Sequence, residues 1–342
     1  MDKTIVWESP PTHDFVLYYV ITESVICWRR FKITCSYKKS MTLAKPRYIQ
    51  VGFLCAAVSA ILFGSISTIA KPTLSSVNPI FLASLVYLVS AIILSPIAHK
   101  SKGTTGDKKS YFYIILIAIF GGVIAPILYF SGLEQTTASD TAVLTDAELL
   151  FTVILALVFF KEKLNRIGYL SVVLVITGVV IVTTNLQFTS IFETSFGNLL
   201  ILLSTVFWAL DNNISRIITQ KISNVARIAL IKSAIGGSIV LGLVFLFGIP
   251  IEIDPALWPN IILLGVGGFG IALFFFLKAL QRIGAIKTLM IFSISSPVGL
   301  VFAAILLGET ISLYQIIAIS IILVGIFLIY SKGEKPADTK RS

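Results

Sequence analysis

The sequence predicts an all-α polytopic membrane protein, with ten transmembrane helices arranged as two inverted five-helix repeats. Composition supplies the first reason. Of 342 residues, 56% are hydrophobic and only 13% are charged, and the mean hydropathy is +0.94. A water-soluble domain carries charge at roughly 25% of positions, so this chain has too little polar surface to cover a globule in water. The second reason is duplication. Residues 133–184 are echoed by residues 280–331 at a constant offset of 147, anchored by Leu133/Leu280, Ala138/Ala285, Thr141/Thr288, Ala156/Ala303, Glu162/Glu309 and Gly178/Gly325. A repeated apolar block of that length marks two structural halves. The third reason is the alternation of basic residues between successive connections.

A spanning helix needs about 20 apolar residues between polar or turn residues. Ten stretches qualify, at roughly 49–70, 79–98, 111–132, 137–160, 166–184, 197–217, 225–248, 257–279, 284–307 and 313–331. The first follows Lys45 and Arg47 and ends at Lys71. The second and third are joined by KSKGTTGDKKS at 100–110, and Glu134 closes the third. The fourth runs into Lys161 and Lys163, Arg166 opens the fifth, and NLQFTSIFETSF at 185–196 joins the halves. Arg216 and Lys221 close the sixth and Arg227 opens the seventh. Glu252 and Asp254 precede the eighth, which ends at Lys278 and Arg282; Lys287 opens the ninth, Gly308 and Glu309 close it, and the tenth leads into a basic tail.

Lys and Arg accumulate on the cytoplasmic side of membranes. With the N-terminus inside, 25 of the 27 basic residues fall in cytoplasmic segments, leaving only Lys71 outside and Lys232 within a span. The formal charge of +10 is thus a topology signal, spread over separate loops without aromatic interleaving, and not a nucleic-acid patch. Both termini are placed in the cytoplasm, and the cytoplasmic (plasma) membrane is the expected location. Five spans per half is an odd number, so the second half crosses with the opposite sense. Glu162 follows the fourth span inside, whereas Glu309 follows the ninth outside. The front of each half aligns as well, Gly52, Ser59 and Phe63 matching Gly197, Ser204 and Trp208 at an offset of 145.

The expected organisation is an N-terminal extension (1–45), a first repeat (46–186), a second repeat (195–332) and a cytoplasmic tail (333–342). The extension contains an apolar run at 15–28 that is interrupted by Glu23 and ends at Arg29 and Arg30. At about 21 Å as a helix it is too short to span. It is expected to be dispensable, with Met41 a natural start; the alternatives are an interfacial helix and an additional anchor.

Three cysteines (Cys27, Cys35, Cys55) without a CxxC and two histidines (His13, His99) exclude a disulfide framework and a Cys/His metal site at ordinary spacing. No Walker phosphate loop is present, and GVGGFG at 265–270, inside an apolar run, reads as close helix packing rather than a nucleotide site. An intramembrane hydrolase would need a nucleophile and a base, and the chain has neither GxSxG nor a membrane histidine. No catalytic residue, metal or cofactor is expected. The expected partners are membrane lipids and a small-molecule solute, with no nucleic acid.

Ionisable groups in hydrocarbon are costly and therefore functional candidates. In the fourth span Thr141, Thr145, Glu148 and Thr152 fall at i, i+4, i+7 and i+11, one face of a continuous helix. Asp146 lies about 200° round from Glu148, so the two carboxylates share a face only if the helix is broken there. Glu148, about 17 Å into the span, is the first candidate for proton or cation binding, and Asp146 the second. Their repeat-mates give Thr288 and Ser295, a second polar face near Ser293, Ser296 and Pro297. These hydroxyl faces either line a cavity or bond neighbouring helices. Asp211 and Lys232 lie at equal depth on successive spans. Either they pair and act as a gate, or Lys232 snorkels to the surface and Asp211 faces water. Asn212 and Asn213 extend this cluster, and Trp208 is either an interfacial anchor or a cavity wall.

The motifs L-x3-E-x3-T-x3-A (Leu144, Glu148, Thr152, Ala156), W-x2-D-N-N-x2-R (Trp208, Asp211, Asn212, Asn213, Arg216), G-A-x-K-T (Gly284, Ala285, Lys287, Thr288) and the closing Gly308-Glu309, together with two five-span halves, resemble the EamA-type branch of the drug/metabolite transporter superfamily. The likeness covers about residues 46–332. Leu149 stands where proline often follows the acidic residue, and Lys287 where arginine is more usual. The resemblance implies secondary active transport of a small organic metabolite or drug by alternating access, proton-coupled or by exchange. The alternatives are an uncoupled facilitator or channel on the same fold, and a membrane scaffold without transport.

Overall fold

The computed structural model describes residues 46–101, 103, 108–160, 165–184 and 196–328. Expectations for residues 1–45, Glu162 and the tail lie outside these. Among the described residues every regular element is helical: α1 (Pro46–Gly64), α2 (Ile66–Thr73), α3 (Pro79–Lys100), α4 (Lys108–Ile119), α5 (Ala125–Gln135), α6 (Ala138–Leu144), α7 (Ala147–Phe160), α8 (Arg166–Thr184), α9 (Phe196–Lys221), α10 (Val225–Leu246), α11 (Trp258–Leu263), α12 (Ala272–Ile283), α13 (Ala285–Phe292), α14 (Ser295–Leu307) and α15 (Leu313–Leu328). A π-helical turn at Phe120–Ile124 joins α4 to α5, and a longer one at Leu264–Ile271 joins α11 to α12.

Among the described residues six helical rods are long and apolar enough to cross a membrane: Tyr48–Thr73, Pro79–Lys100, Lys108–Gln135, Val225–Leu246, Pro255–Ile283 and Lys287–Leu307. The remaining predicted spans are also helical but differ in kind. Arg166–Val182 and Leu313–Leu328 are shorter apolar helices, α9 carries Asp211, Arg216 and Lys221, and α6–α7 is interrupted. Large apolar side chains face outward, Ile92 73%, Ile305 72% and Leu313 72% exposed, while Ser, Thr, Asn, Asp, Glu and Lys side chains are buried. That distribution suits a hydrocarbon surround and not water.

The interruptions recur at equivalent positions. At Thr145–Asp146 the α-helical bonds give way to i→i+3 bonds (Asp146 N to Val143 O, 3.3 Å; Glu148 N to Thr145 O, 3.1 Å), and at Ser293–Ile294 they do so again (Ile294 N to Ile291 O, 3.1 Å; Ser296 N to Ser293 O, 3.3 Å). Asp146 and Ser293 are repeat-mates at the 147 offset. The breaks meet in space, the Ser296 hydroxyl donating to the Ala142 carbonyl. The two π-helical turns are likewise repeat-mates. Within the second, Gly265 and Gly268 abut Val89 and Ile66 so closely that a Cβ would overlap them, in keeping with packing glycines.

Packing is unchanged when the halves are exchanged. Mates pack on mates, α3 on α10 and α8 on α15; α1 packs on α12 as α9 packs on α5; and α9 packs on α7 as α1 packs on α13 and α14. The Glu309 carboxylate, just past α14, accepts from the backbone N–H groups of Ala138 (2.9 Å) and Ser139 (2.9 Å) at the start of α6. The end of one mate therefore lies beside the beginning of the other, and α6–α7 runs antiparallel to α13–α14. Ties at the two ends of the bundle also correspond. Lys71 donates to carbonyls at the end of α5 (Leu133, 2.8 Å) and just past it (Thr136, 2.6 Å), and Gln281 of α12 donates to Thr219 O of α9 (2.9 Å).

Candidate functional site

The exchange packing leaves a partly open cavity between the halves, with ≈ 530 Å³ of space between atoms including its mouth. On α9 the buried positions Ser204, Trp208, Asp211, Asn212 and Ser215 recur every three to four residues and so share one face. That face forms a polar wall. The Lys232 ammonium of α10 pairs with the Asp211 carboxylate, and Ser215 Oγ donates to the second Asp211 oxygen (3.0 Å). With side chains only 4% (Lys232) and 6% (Asp211) exposed, Lys232 does not snorkel. The pair is seated by Gly121 of the first π-helical turn, where a Cβ would come within 2.6 Å of Asp211 Cγ and 2.8 Å of Lys232 Nζ. The same turn frees the Gly121 carbonyl, which accepts from Tyr87 Oη (2.5 Å). π-Helical turns often mark functional positions.

Against this wall stands Glu148, in the first turn of α7. It is buried, and its carboxylate accepts from the Asn212 side-chain amide. The break before α7 puts a helix N-terminus at this carboxylate, a favourable place for negative charge. Aromatic rings make up much of the remaining wall. Phe63 meets Trp208 edge-on with centroids 5.7 Å apart and contacts Phe292 at 4.9 Å, and Phe276 lies 5.0 Å from Phe292.

Of the residues singled out from sequence, Glu148, Trp208, Asp211, Asn212 and Lys232 come together around the cavity, and the others do not line it. Thr141, Thr145, Thr152 and Thr288 are buried, but each hydroxyl donates to a carbonyl of its own helix or turn (Thr137, Ala142, Glu148 and Gly284 O, at 2.9, 2.7, 2.7 and 2.8 Å). Such back-bonding satisfies a hydroxyl locally, and the break at 145–146 destroys the continuous face that the spacing implies. Asn213 ties α9 to α7 through Thr152 O (3.3 Å). Ser295 is buried at the start of α14. The condition for Asp146 to join Glu148, a broken helix, is met, yet Asp146 lies with Ser293 and Ser296 and outside the cavity lining. Its Oδ2 is buried without a hydrogen-bond partner among the described residues.

Sequence reading missed Ser59, Tyr87, Ser215 and the rings of Phe63, Phe269, Phe276 and Phe292. Two of these carried a signal, since Ser215 is one turn from Asp211 and Phe63 is the repeat-mate of Trp208. Tyr87 carried none, because its partner is a carbonyl exposed only by a π-helical turn.

A bundle of apolar helices with outward-facing hydrocarbon side chains, two interchangeable halves and, between them, a cavity lined by aromatic rings and a buried charged cluster is an integral membrane protein of the two-repeat transporter class. The chain belongs to the EamA-like transporter family, whose pattern matches twice, at residues 50–184 and 195–331. Relatives include an uncharacterized transporter of Methanothermobacter thermautotrophicus, 29% identical over 83% of this chain and 87% of the relative. Another is an uncharacterized transporter of Clostridium kluyveri, 26% identical over 85% of this chain and 96% of the relative. One protein of known crystal structure shares the fold with a TM-score of 0.58 at 16% identity, covering 81% of this chain and 95% of that one. Family and relatives point to transport and not to catalysis.

Proposed function

We propose that the protein is a ten-span secondary transporter of the cytoplasmic membrane, built from two inverted five-helix halves, that moves a small organic solute by alternating access with proton coupling or exchange. The observation that carries this reading is the cavity between the halves, lined by buried Glu148 and by the Asp211–Lys232 pair, with Asn212 bonded to Glu148 between them. Inverted halves supply two near-equivalent conformations, each open to one side, with the solute site where the halves meet. The antiparallel mates α6–α7 and α13–α14 and the half-exchanging packing support that symmetry. Glu148 is the coupling group in this reading, because a buried carboxyl facing the cavity can gain and lose a proton as the cavity opens to each side. Asp211–Lys232 is the gating pair.

The test starts with vesicles loaded with a metabolite mixture, with and without the protein, to find a solute whose flux responds to an imposed pH gradient. Glu148→Gln preserves shape and hydrogen bonding but cannot titrate. It is expected to reach the membrane at normal levels and to lose gradient-driven flux by about two orders of magnitude, the scale of removing an essential proton-transfer group. Undiminished gradient-driven flux in that variant removes Glu148 from the mechanism, and Asp146→Asn is then the next substitution. Flux that ignores the pH gradient in the parent protein favours an uncoupled facilitator.

A further inference from the structure

We infer that the cavity selects an organic cation with an apolar, ring-bearing body. This rests on reading the cavity as the solute site and adds the class of solute. Charge decides the sign. The ionisable side chains on the wall, apart from the Tyr87 hydroxyl, are Glu148, Asp211 and Lys232, and the last two neutralise each other in a direct ion pair. Among the described residues the Glu148 carboxyl is bonded by the neutral amide of Asn212, so in its ionised form it gives the wall one negative charge in excess. A lysine without a carboxylate partner would have argued otherwise. An anionic solute would have to break the Asp211–Lys232 pair to find a counter-charge, which strands a carboxylate in a buried site.

The walls decide the body. Trp208, Phe63, Phe292 and Phe276 form a connected ring cluster on the cavity. Ring faces attract cations and also bury flat apolar groups. A cation with such a body satisfies the carboxylate and the rings at once, whereas a neutral analogue leaves Glu148 without a counter-ion and a small hydrated cation leaves the rings unfilled.

The cavity contains its own reporter. With Trp7, Trp28 and Trp258 changed to Phe, Trp208 is the sole tryptophan. Purified full-length protein in detergent is titrated with benzyltrimethylammonium, phenylacetamide and phenylmethanesulfonate, which share a ring and differ in charge, while Trp208 emission is followed. Benzyltrimethylammonium is expected to bind in a saturable manner at least about tenfold more tightly than the other two, and Glu148→Gln to remove that preference while leaving phenylacetamide within about twofold. Preferred binding of phenylacetamide or phenylmethanesulfonate overturns the cation assignment while leaving the cavity as a solute site. No change in Trp208 emission with any of the three overturns both. The ranking is read on the parent cavity, so it stands whether or not the Glu148→Gln protein folds.

Discussion

The residue with most resting on it is Gly121. Its missing side chain is the space in which the Asp211 carboxylate and Lys232 ammonium meet, so the ion pair depends on a third position with no charge of its own. Removing one member of a buried pair strands the other at a cost of about 3–5 kcal/mol, whereas exchanging the charges need not. Asp211→Asn and Lys232→Gln are therefore each expected to reduce the yield of folded protein or its flux. The combined Asp211→Lys, Lys232→Asp protein should recover part of the loss, measured by size-exclusion profile and vesicle flux. Damage that simply adds in the double variant would mean the two side chains act independently. Gly121→Ala is expected to resemble the single charge deletions, since a methyl group there must displace the pair.

Among elements, α6 is the most dependent on others. It is only seven residues long (Ala138–Leu144), stops at the Thr145–Asp146 break, and has its first amide groups bonded by Glu309 from the opposite half. A carboxylate on free N–H groups at a helix N-terminus combines hydrogen bonding with the helix dipole and contributes about 0.5–2 kcal/mol. Glu309→Gln is expected to lower the thermal unfolding midpoint in detergent by a few degrees, with Glu309→Ala lower still. The order matters, because Gln can still accept a hydrogen bond but brings no charge. An unchanged midpoint in Glu309→Ala would show that the amides are satisfied in another way. Nearby, Gln315 donates to the buried Asp140 carboxylate (2.6 Å), so α15 is held to the same short helix.

At the scale of the whole molecule, the proposed orientation rests on the distribution of basic residues between alternate connections. In a background with Cys27, Cys35 and Cys55 replaced, single cysteines at Glu252 and Ser223, both exposed, are expected to react with an impermeant thiol reagent from opposite sides of intact cells. Glu252→Cys should label from outside and Ser223→Cys only after permeabilisation. Equal labelling of both in intact cells would overturn the placement of the termini in the cytoplasm.

The sequence by itself determined the helical membrane class, the duplication and the placement of the rare charged residues within apolar helices. Each depends on composition or on a spacing that survives any packing. It also brought forward Glu148, Asp211, Asn212, Lys232 and Trp208, because a buried charge and a single face of α9 can be read along one helix. Whether Asp211 and Lys232 pair was undecided until α10 packed against the π-helical turn at Gly121. The hydroxyl faces of Thr141, Thr145, Thr152 and Thr288 were legible as periodicity, but periodicity does not reveal whether a hydroxyl bonds back to its own helix. Nor could it foresee that a two-residue break at Thr145–Asp146 would reset the register. The ring cluster of Phe63, Phe276 and Phe292 with Trp208 was settled only by tertiary structure. Those residues come from helices far apart in the chain, and what joins them is the packing of one half against the other.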